Sequence, residues 1–370
     1  IRDRISLSLW DGMNARVEGE TGFTRCGILY LCENEQQMAG KTAWFEKNAK
    51  PARLSTRMIG AAEANELQPG CTRPWKGALY TPDDARAEPF VAVPLMAEAL
   101  RRKGGKVFTK CAVRGLETKA GRVSAVVTER GSIACDTVVL AGGAWSRRFC
   151  ENSGVALPQL TVVNSVMRTE PLDTGLTRTC SGGHFTFRKR MDGGYTVTHN
   201  HYSVADIVPD SFRLFRAFLP ALMLDWKGLR LRLGRRFIDE AGLKQRWALD
   251  EVSPFEVVRV LDPEPVQDIL DDAEKHLKEY YPVFKPMKIA ERWAGLIDAV
   301  PDAVPVISKV PKLDGFHLCT GFSGHGFGLG PGAGKLMAEI VTGEQPCVDP
   351  APFRYERFFD GTNPRPTTGL

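Results

Sequence analysis

The chain has 370 residues, 43% hydrophobic and 25% charged, an ordinary globular composition with length enough for two domains. Its 49 basic and 44 acidic side chains leave a net charge of +5, which gives no reason to expect nucleic acid and suits an anionic cofactor or substrate. No apolar run reaches the roughly 18 residues of a membrane helix, and no secretory signal is visible.

Ile1, Ile5, Leu9, Met13 and Val17 recur every fourth position beside Trp10, the pattern of an amphipathic helix. A strand is predicted over Arg25 to Glu33, a helix over Glu35 to Lys50 ended by Pro51, and a helix over Ala61 to Leu67 ended by Pro69-Gly70. Gly77 to Tyr80 is strand-like, and Val91 to Lys103 is helical with Gly104-Gly105 as its stop. Short strands follow at Lys106 to Phe108, Ala112 to Glu117, Val123 to Thr128 and Ser132 to Cys135. Thr137 to Leu140 is a continuous apolar run that suits a fully covered parallel strand, and it enters the small-residue turn Ala141-Gly142-Gly143-Ala144-Trp145-Ser146.

Pro158 to Glu170 is a long strand, and Phe185 to Arg188 and Tyr195 to Thr198 form a hairpin around Asp192-Gly193-Gly194. Helices are predicted over Ser211 to Leu224 and Glu264 to Tyr281, and a strand over Glu291 to Leu296. After Asp360 the Pro/Thr-rich tail is expected to be disordered. Nine cysteines lie scattered with no CxxC spacing, which predicts reduced thiols, a cytoplasmic protein and no metal centre.

The chain is organised around a stretch near its end. Phe316 to Thr320 reads as a buried strand, Leu329 to Val341 as a helix stopped by Gly343, and between them glycines alternate. Strand, glycine loop and helix N-terminus make a site for an electron-rich group, because glycine admits close approach and the helix start offers unpaired N–H groups. A Walker loop is excluded by Leu329 and Leu336, which stand where glycine and Ser/Thr are required. A nicotinamide fingerprint fits only as Gly328 to Ala333, and no acidic strand end follows it.

Gly321-Phe322-Ser323-Gly324-His325-Gly326-Phe327 resembles the C-terminal flavin-binding segment of the D-amino-acid oxidase-like flavoproteins, the family of glycine oxidase, sarcosine oxidase and opine oxidoreductases. Glu88 to Gly105, Lys106 to Glu117 and Val138 to Ser146 resemble further segments in the same order, so the resemblance covers most of the chain. It implies an α/β fold, α+β overall. A FAD-binding Rossmann-like domain takes residues 1–25, 88–157 and 300–370, and a β-rich substrate domain takes 26–87 and 158–299. It further implies non-covalent FAD held near Val113, Ala141, Gly142, Gly143, Trp145, Gly295, Gly321, Ser323, Gly324, His325, Gly326 and Phe327. Gly326 is expected at positive φ beside the flavin. The family's N-terminal βαβ unit with its GxGxxG turn has no counterpart in the sequence, so this chain alone is not expected to hold FAD tightly.

Oxidation of an amine needs the substrate C–H over the flavin, a neutral amine and a clamp for any carboxylate. Arg188 and Arg190 can clamp a carboxylate or form a solvated hairpin face. Tyr195, His199 and His201 alternate and share one strand face, which can line the pocket and act in catalysis or be structural. Asp298 stands where some family members carry a carboxylate-binding arginine; it can meet a cationic substrate group or cap a turn. Gly328 takes the place of the sarcosine oxidases' substrate-binding lysine, and Gly295 or a neighbour that of their flavin-tethering cysteine. The run Lys227, Arg230, Arg232, Arg235, Arg236 can bind an anion or partner subunit or form a solvated face. In the sarcosine-oxidase branch a lysine on the second hairpin strand promotes oxygen reduction, and here Thr196 or Thr198 falls near that place.

The expected activity is FAD-dependent oxidation of an amine or amino acid. Alternatives are a 2-hydroxy-acid or glycerol-phosphate dehydrogenase on the same fold, or a non-catalytic subunit of a flavoenzyme complex. A second subunit or a non-oxygen electron acceptor is an expected partner.

Overall fold

The computed structural model describes residues 5–224 and 228–366; Ile1 of the first helix and Lys227 of the basic run lie outside them, as do the last four residues of the tail. The first helix is two short turns, Leu7–Asp11 and Met13–Val17, meeting at Gly12, and Trp10, Met13 and Val17 are its buried face. They pack on the Pro89–Arg102 helix through Ala92 and Ala99, as the apolar spacing requires.

In chain order the strands are β1 Thr24–Arg25, β2 Ile28–Cys32, β3 Arg57–Gly60, β4 Gly77–Thr81, β5 Ala85–Arg86 and β6 Val113–Lys119. Next come β7 Arg122–Thr128, β8 Gly131–Ala134, β9 Val138–Leu140, β10 Leu160–Thr169, β11 Thr179–Gly182 and β12 Phe185–Lys189. The last six are β13 Tyr195–Thr198, β14 Ser203–Asp206, β15 Leu229–Arg232, β16 Ile289–Ala299, β17 Val306–Lys309 and β18 Phe316–Thr320. Ten of them form one mixed sheet in the order β15-β14-β10-β13-β12-β11-β2-β4-β3, with β16 along β10 over its full length. One face of this sheet is closed by the Gln267–Tyr280 helix, whose Leu270, Ala273 and Leu277 meet Phe185, Phe187, Tyr195 and Val197.

Two three-stranded sheets, β6-β7-β8 and β17-β18-β9 with β18 and β9 parallel, and the antiparallel pair β1-β5 complete the fold. Phe149, Phe316, Leu318 and Val123 fill the core between the three-stranded sheets. The Gly326–Thr342 helix packs Leu336 and Met337 on Ile307 of β17 and ends at Gly343, whose φ of 73° is the left-handed stop expected of it.

Two strand expectations fail. Lys106 to Phe108 forms no ladder, and Phe108 is 57% exposed: with no partner strand beside it, so short a stretch gains no cross-strand hydrogen bonds. Val138 to Leu140 is parallel as expected but not fully covered: β9 ends its sheet, and Val139 is 41% exposed.

Candidate active site

The glycine loop leaves β18 at Thr320, and positive φ falls on Gly321 (75°), Ser323 (50°) and Gly324 (89°). Gly326 does not share it: it already begins the helix, and an added Cβ would sit 3.2 Å from Phe322 Cβ, so the expected positive φ there is corrected. Asp298, at the end of β16, braces the loop. Its Oδ2 accepts the Gly321 N–H at 2.7 Å and lies 3.2 Å from Thr320 Oγ1 and 3.4 Å from Gln159 Nε2, while its carbonyl accepts the Ser323 N–H at 3.0 Å. Burial pushes the carboxyl above its ordinary range, against these hydrogen bonds. These are the bonds of a turn cap, one of the two roles the sequence leaves open for Asp298.

No side chain caps the start of the Gly326–Thr342 helix. Trp10 Nε1 donates to the Gly328 carbonyl at 3.2 Å and Ser6 Oγ to that of Leu329 at 3.1 Å, so the first helix grips the carbonyls of this turn. His325, Phe327 and Gly328 are exposed. The second glycine turn adjoins the first: Thr320 Oγ1 lies 2.8 Å from Ser146 Oγ and 3.4 Å from the Gly143 carbonyl. Both turns thus sit at the carboxyl ends of parallel strands, where α/β proteins place ligands. Ala141 is exposed, Gly143 has a φ of 52°, and an added Cβ there meets nothing within 4 Å. Trp145 instead sets its ring edge-on to Phe255 at 5.3 Å, and Val113 packs into the core beside Val138 and Leu140.

Cross-strand register settles the faces of the large sheet. Thr196 pairs with Arg188 and Arg168, Thr198 with Val166, Val166 with Trp293, and Asn164 with Gly295, so these residues share the face opposite the Gln267–Tyr280 helix. Gly295 is exposed there, with open space where a Cβ would stand, and Gly324 approaches this strand at Ile297. Tyr195 and His199 alternate onto the covered face, which corrects their expected place in the pocket. The Tyr195 hydroxyl donates to the Leu176 carbonyl at 2.7 Å in the core. His199 Nδ1 accepts the His201 N–H at 3.0 Å, its Nε2 lies 3.1 Å from Asp272 Oδ2, and burial depresses its pKa to about 4. His201 is exposed and lines a separate, mostly apolar cavity of about 950 Å³ between Ser323 and the Phe215–Leu224 helix.

Arg188, Phe327 and Gly328 do come together. They line a cavity of about 270 Å³ with Trp10, Phe23 and Arg86. Glu88, 5% exposed, accepts Arg188 Nη1 at 2.9 Å and Nη2 at 3.3 Å, and Arg86 Nη1 at 3.5 Å. Arg86 and Arg188 share the Glu88 carboxylate, Asp84 adds a second carboxylate to the lining, and Arg86 Nε is buried with no hydrogen-bond partner. Arg190 stands behind, paired with Asp192 at 3.0 Å. Of the basic run, Arg232 and Arg236 engage Asp206 at 2.7 and 3.5 Å, Arg230 reaches Asp268 at 2.9 Å and Arg235 reaches Asp239 at 3.6 Å, which is ion pairing within the fold.

Residues 4–340 match the model of the FAD dependent oxidoreductase family. The chain belongs to that family. It is 26% identical to the glycine oxidase of Pseudomonas aeruginosa, over 94% of this chain and 80% of that protein. The L-amino acid deaminase from Proteus myxofaciens, solved with anthranilate, superposes with a TM-score of 0.91 at 34% identity, over 95% of this chain and 80% of the other. The L-amino acid deaminase from Proteus vulgaris gives 0.89 at 32%, over 96% and 83%.

The donors present fit FAD: two adjoining glycine turns, an uncapped helix start and an open sheet face at Gly295, where an added Cβ would meet nothing within 4 Å. No helix among the described residues is long and apolar enough to cross a membrane. Sequence reasoning missed Arg86, Glu88 and Gln159. Glu88-Pro89 shows only as a helix start, and β5, two residues long, leaves no periodic signal.

Proposed function

We propose that this FAD-dependent oxidoreductase oxidises the C–N bond of an amino acid, with L-α-amino acids as its substrate class. The observation that carries the reading is the superposition on an L-amino acid deaminase over 95% of the chain. Arg188 and Arg86 receive the substrate carboxylate from the charged wall of the smaller cavity, and Phe327 and Trp10 exclude water from its apolar side. Gly142, Gly143, Gly321, Ser323, Gly324 and Gly326 hold the flavin with the helix N-terminus, and Gly295 gives its ring room over the sheet. When bound, FAD supplies the two-electron acceptor for the α-hydrogen and its electron pair.

The division into a flavin part (1–25, 88–157, 300–370) and a substrate part (26–87, 158–299) belongs to the same reading. It is supported by the ten-stranded sheet, whose strands all come from the second set. An acceptor other than oxygen, such as a partner protein, takes the electrons.

Anaerobic dye reduction by the FAD-loaded protein tests the proposal, with L- and D-amino acids, N-methyl amino acids and 2-hydroxy acids in parallel. Turnover with L-amino acids, yielding ammonia and the 2-keto acid, is expected. Turnover confined to 2-hydroxy acids, or none with any amine, overturns it.

A further inference from the structure

We propose that His184, Asp272 and His276 form a binding site for Zn²⁺ or a similar first-row dication, on the side of the large sheet away from the flavin face. Four of the chain's six histidines gather there: the His184 ring lies 4.0 Å from that of His276, 5.5 Å from His199 and 6.1 Å from His201. One carboxylate stands at their centre. Asp272 Oδ2 is 2.7 Å from His184 Nδ1 and 3.1 Å from His199 Nε2, and Asp272 Oδ1 is 3.4 Å from His276 Nδ1.

One ligand atom from each of His184, Asp272 and His276 lies within 4.8 Å of the others. Zn–N and Zn–O bonds of about 2.0–2.2 Å place tetrahedral ligands roughly 3.4 Å apart, so side-chain rotations of about an ångström close the site. All three are half-buried, which leaves room for the water that completes four-coordination.

Three features single this cluster out from a chance surface grouping. Asp272 and His276 are four apart on the Gln267–Tyr280 helix, on one face and one turn apart. His184 is delivered by the Gly182-Gly183 turn, where Gly183 has a φ of 57°. The hydrogen bonds also set the tautomers of His276 and His199. His276 Nδ1 is 2.8 Å from the Asp272 carbonyl, an acceptor only, so it donates there and Nε2 keeps the lone pair. His199 Nδ1 accepts backbone N–H groups from His201 and Tyr202 at 3.0 and 3.3 Å, so its proton is on Nε2 and is donated to Asp272. A buried imidazole thus orients the carboxylate from behind, as outer partners of metal ligands do. Two imidazole nitrogens and one carboxylate suit a borderline N/O-binding dication, and the ion would tie the β11–β12 turn to the helix that closes the sheet.

The test is Zn²⁺ calorimetry and equilibrium dialysis on the FAD-loaded protein after chelation, with Co²⁺ absorption reporting geometry. The same measurements are made on H184A, H276A and His199→Phe, each checked for folding by circular dichroism. One Zn²⁺ per chain is expected, with tetrahedral Co²⁺ bands and a Tm that rises with the metal in the wild type. H184A and H276A should weaken binding by at least about 10-fold, and His199→Phe by about 10- to 100-fold. Absence of stoichiometric binding, or equal affinity in folded H184A and H276A, overturns the site.

Discussion

Asp298 Oδ2 accepts the Gly321 N–H at 2.7 Å, and this contact fixes the point where the glycine loop leaves its strand. Removing the carboxylate in Asp298→Ala leaves that N–H, the Thr320 hydroxyl and the Gln159 amide without their shared acceptor. A loss of about 2–3 kcal/mol is expected in denaturant unfolding, together with weaker flavin retention. Asp298→Asn keeps an acceptor and should keep the flavin. The pH response separates the two forms. Burial raises this carboxyl above its ordinary 3.8 in the folded state, so the native protein holds a proton the unfolded chain has released. Its contribution is therefore complete below about pH 3.8 and is lost as pH rises through the folded value. Stability of Asp298→Asn, measured across that window, should show a shallower fall than the wild type.

Gly321 and Gly328 should respond oppositely to the same added methyl group. At Gly321 a Cβ would combine a φ of 75° with an approach of 2.6 Å to Val300 Cγ1, and Gly321→Ala should cost about 2–4 kcal/mol. Gly328 is helical and its Cβ meets nothing within 4 Å. Gly328→Ala should therefore stabilise the protein by up to about 1 kcal/mol. It also narrows the cavity lined by Arg188, so KM should rise while the melting temperature does too.

Arg188→Leu should raise KM for a carboxylate substrate by about tenfold or more without unfolding the protein. Glu88 keeps Arg86, and its Oε1 still accepts the Met191 N–H at 3.2 Å, so the buried carboxylate is not stranded. Arg188→Lys should fall between, since an ammonium cannot reproduce the two-pronged contact. Steady-state kinetics and a thermal melt measured together would distinguish lost substrate binding from lost stability.

The sequence carried the elements whose causes are local. The Ala61–Leu67 helix stops at its Pro-Gly, and the hairpin follows from Asp192-Gly193-Gly194. Alternation along β13 is equally legible: Tyr195 and His199 do share a face. Which face is covered is not local, because the Gln267–Tyr280 helix that buries them arrives much later in the chain. Asp298 shows the same gap. Its spacing allows either a substrate contact or a cap, and the cap's partners come only with the approach of Thr320-Gly321. Arg86 and Glu88 act through contacts with β12 and Met191 that no short-range pattern encodes.

The C-terminal residues are held by an ion pair that should be costly to break on one side only. Arg357, 3% exposed, sends Nε to Asp302 Oδ2 at 2.8 Å and Nη2 to Oδ1 at 3.1 Å. Arg357→Met leaves the buried Asp302 carboxylate unpaired, and a loss of about 3–5 kcal/mol is expected. Replacing Asp302 by Asn in that background should recover part of it, and a double-mutant cycle by urea unfolding measures how much.

Reaction of the reduced flavin with oxygen should be slow. The first electron transfer makes superoxide, and a fixed positive charge beside the flavin favours it strongly in a dry site. On β13 itself the open-face positions are Thr196 and Thr198, both neutral, and the arginines beside them on that face are ion-paired, Arg188 with Glu88 at 2.9 Å and Arg168 with Glu291 at 2.7 Å. His199 cannot stand in: it lies on the covered face and, with a pKa near 4, is neutral at pH 7. Arg190 comes within 3.5 Å of Thr196 Oγ1, but its charge is taken up by Asp192 at 3.0 Å. Stopped-flow mixing of the reduced protein with air should therefore give slower reoxidation than an artificial acceptor dye. Thr196→Lys, which places an ammonium on that face, should speed the oxygen reaction by about tenfold or more at unchanged dye turnover. Fast reoxidation of the wild type would show that Arg190 keeps enough of its field at the flavin face to do the work of a lysine. The Arg190→Gln variant would then lose it.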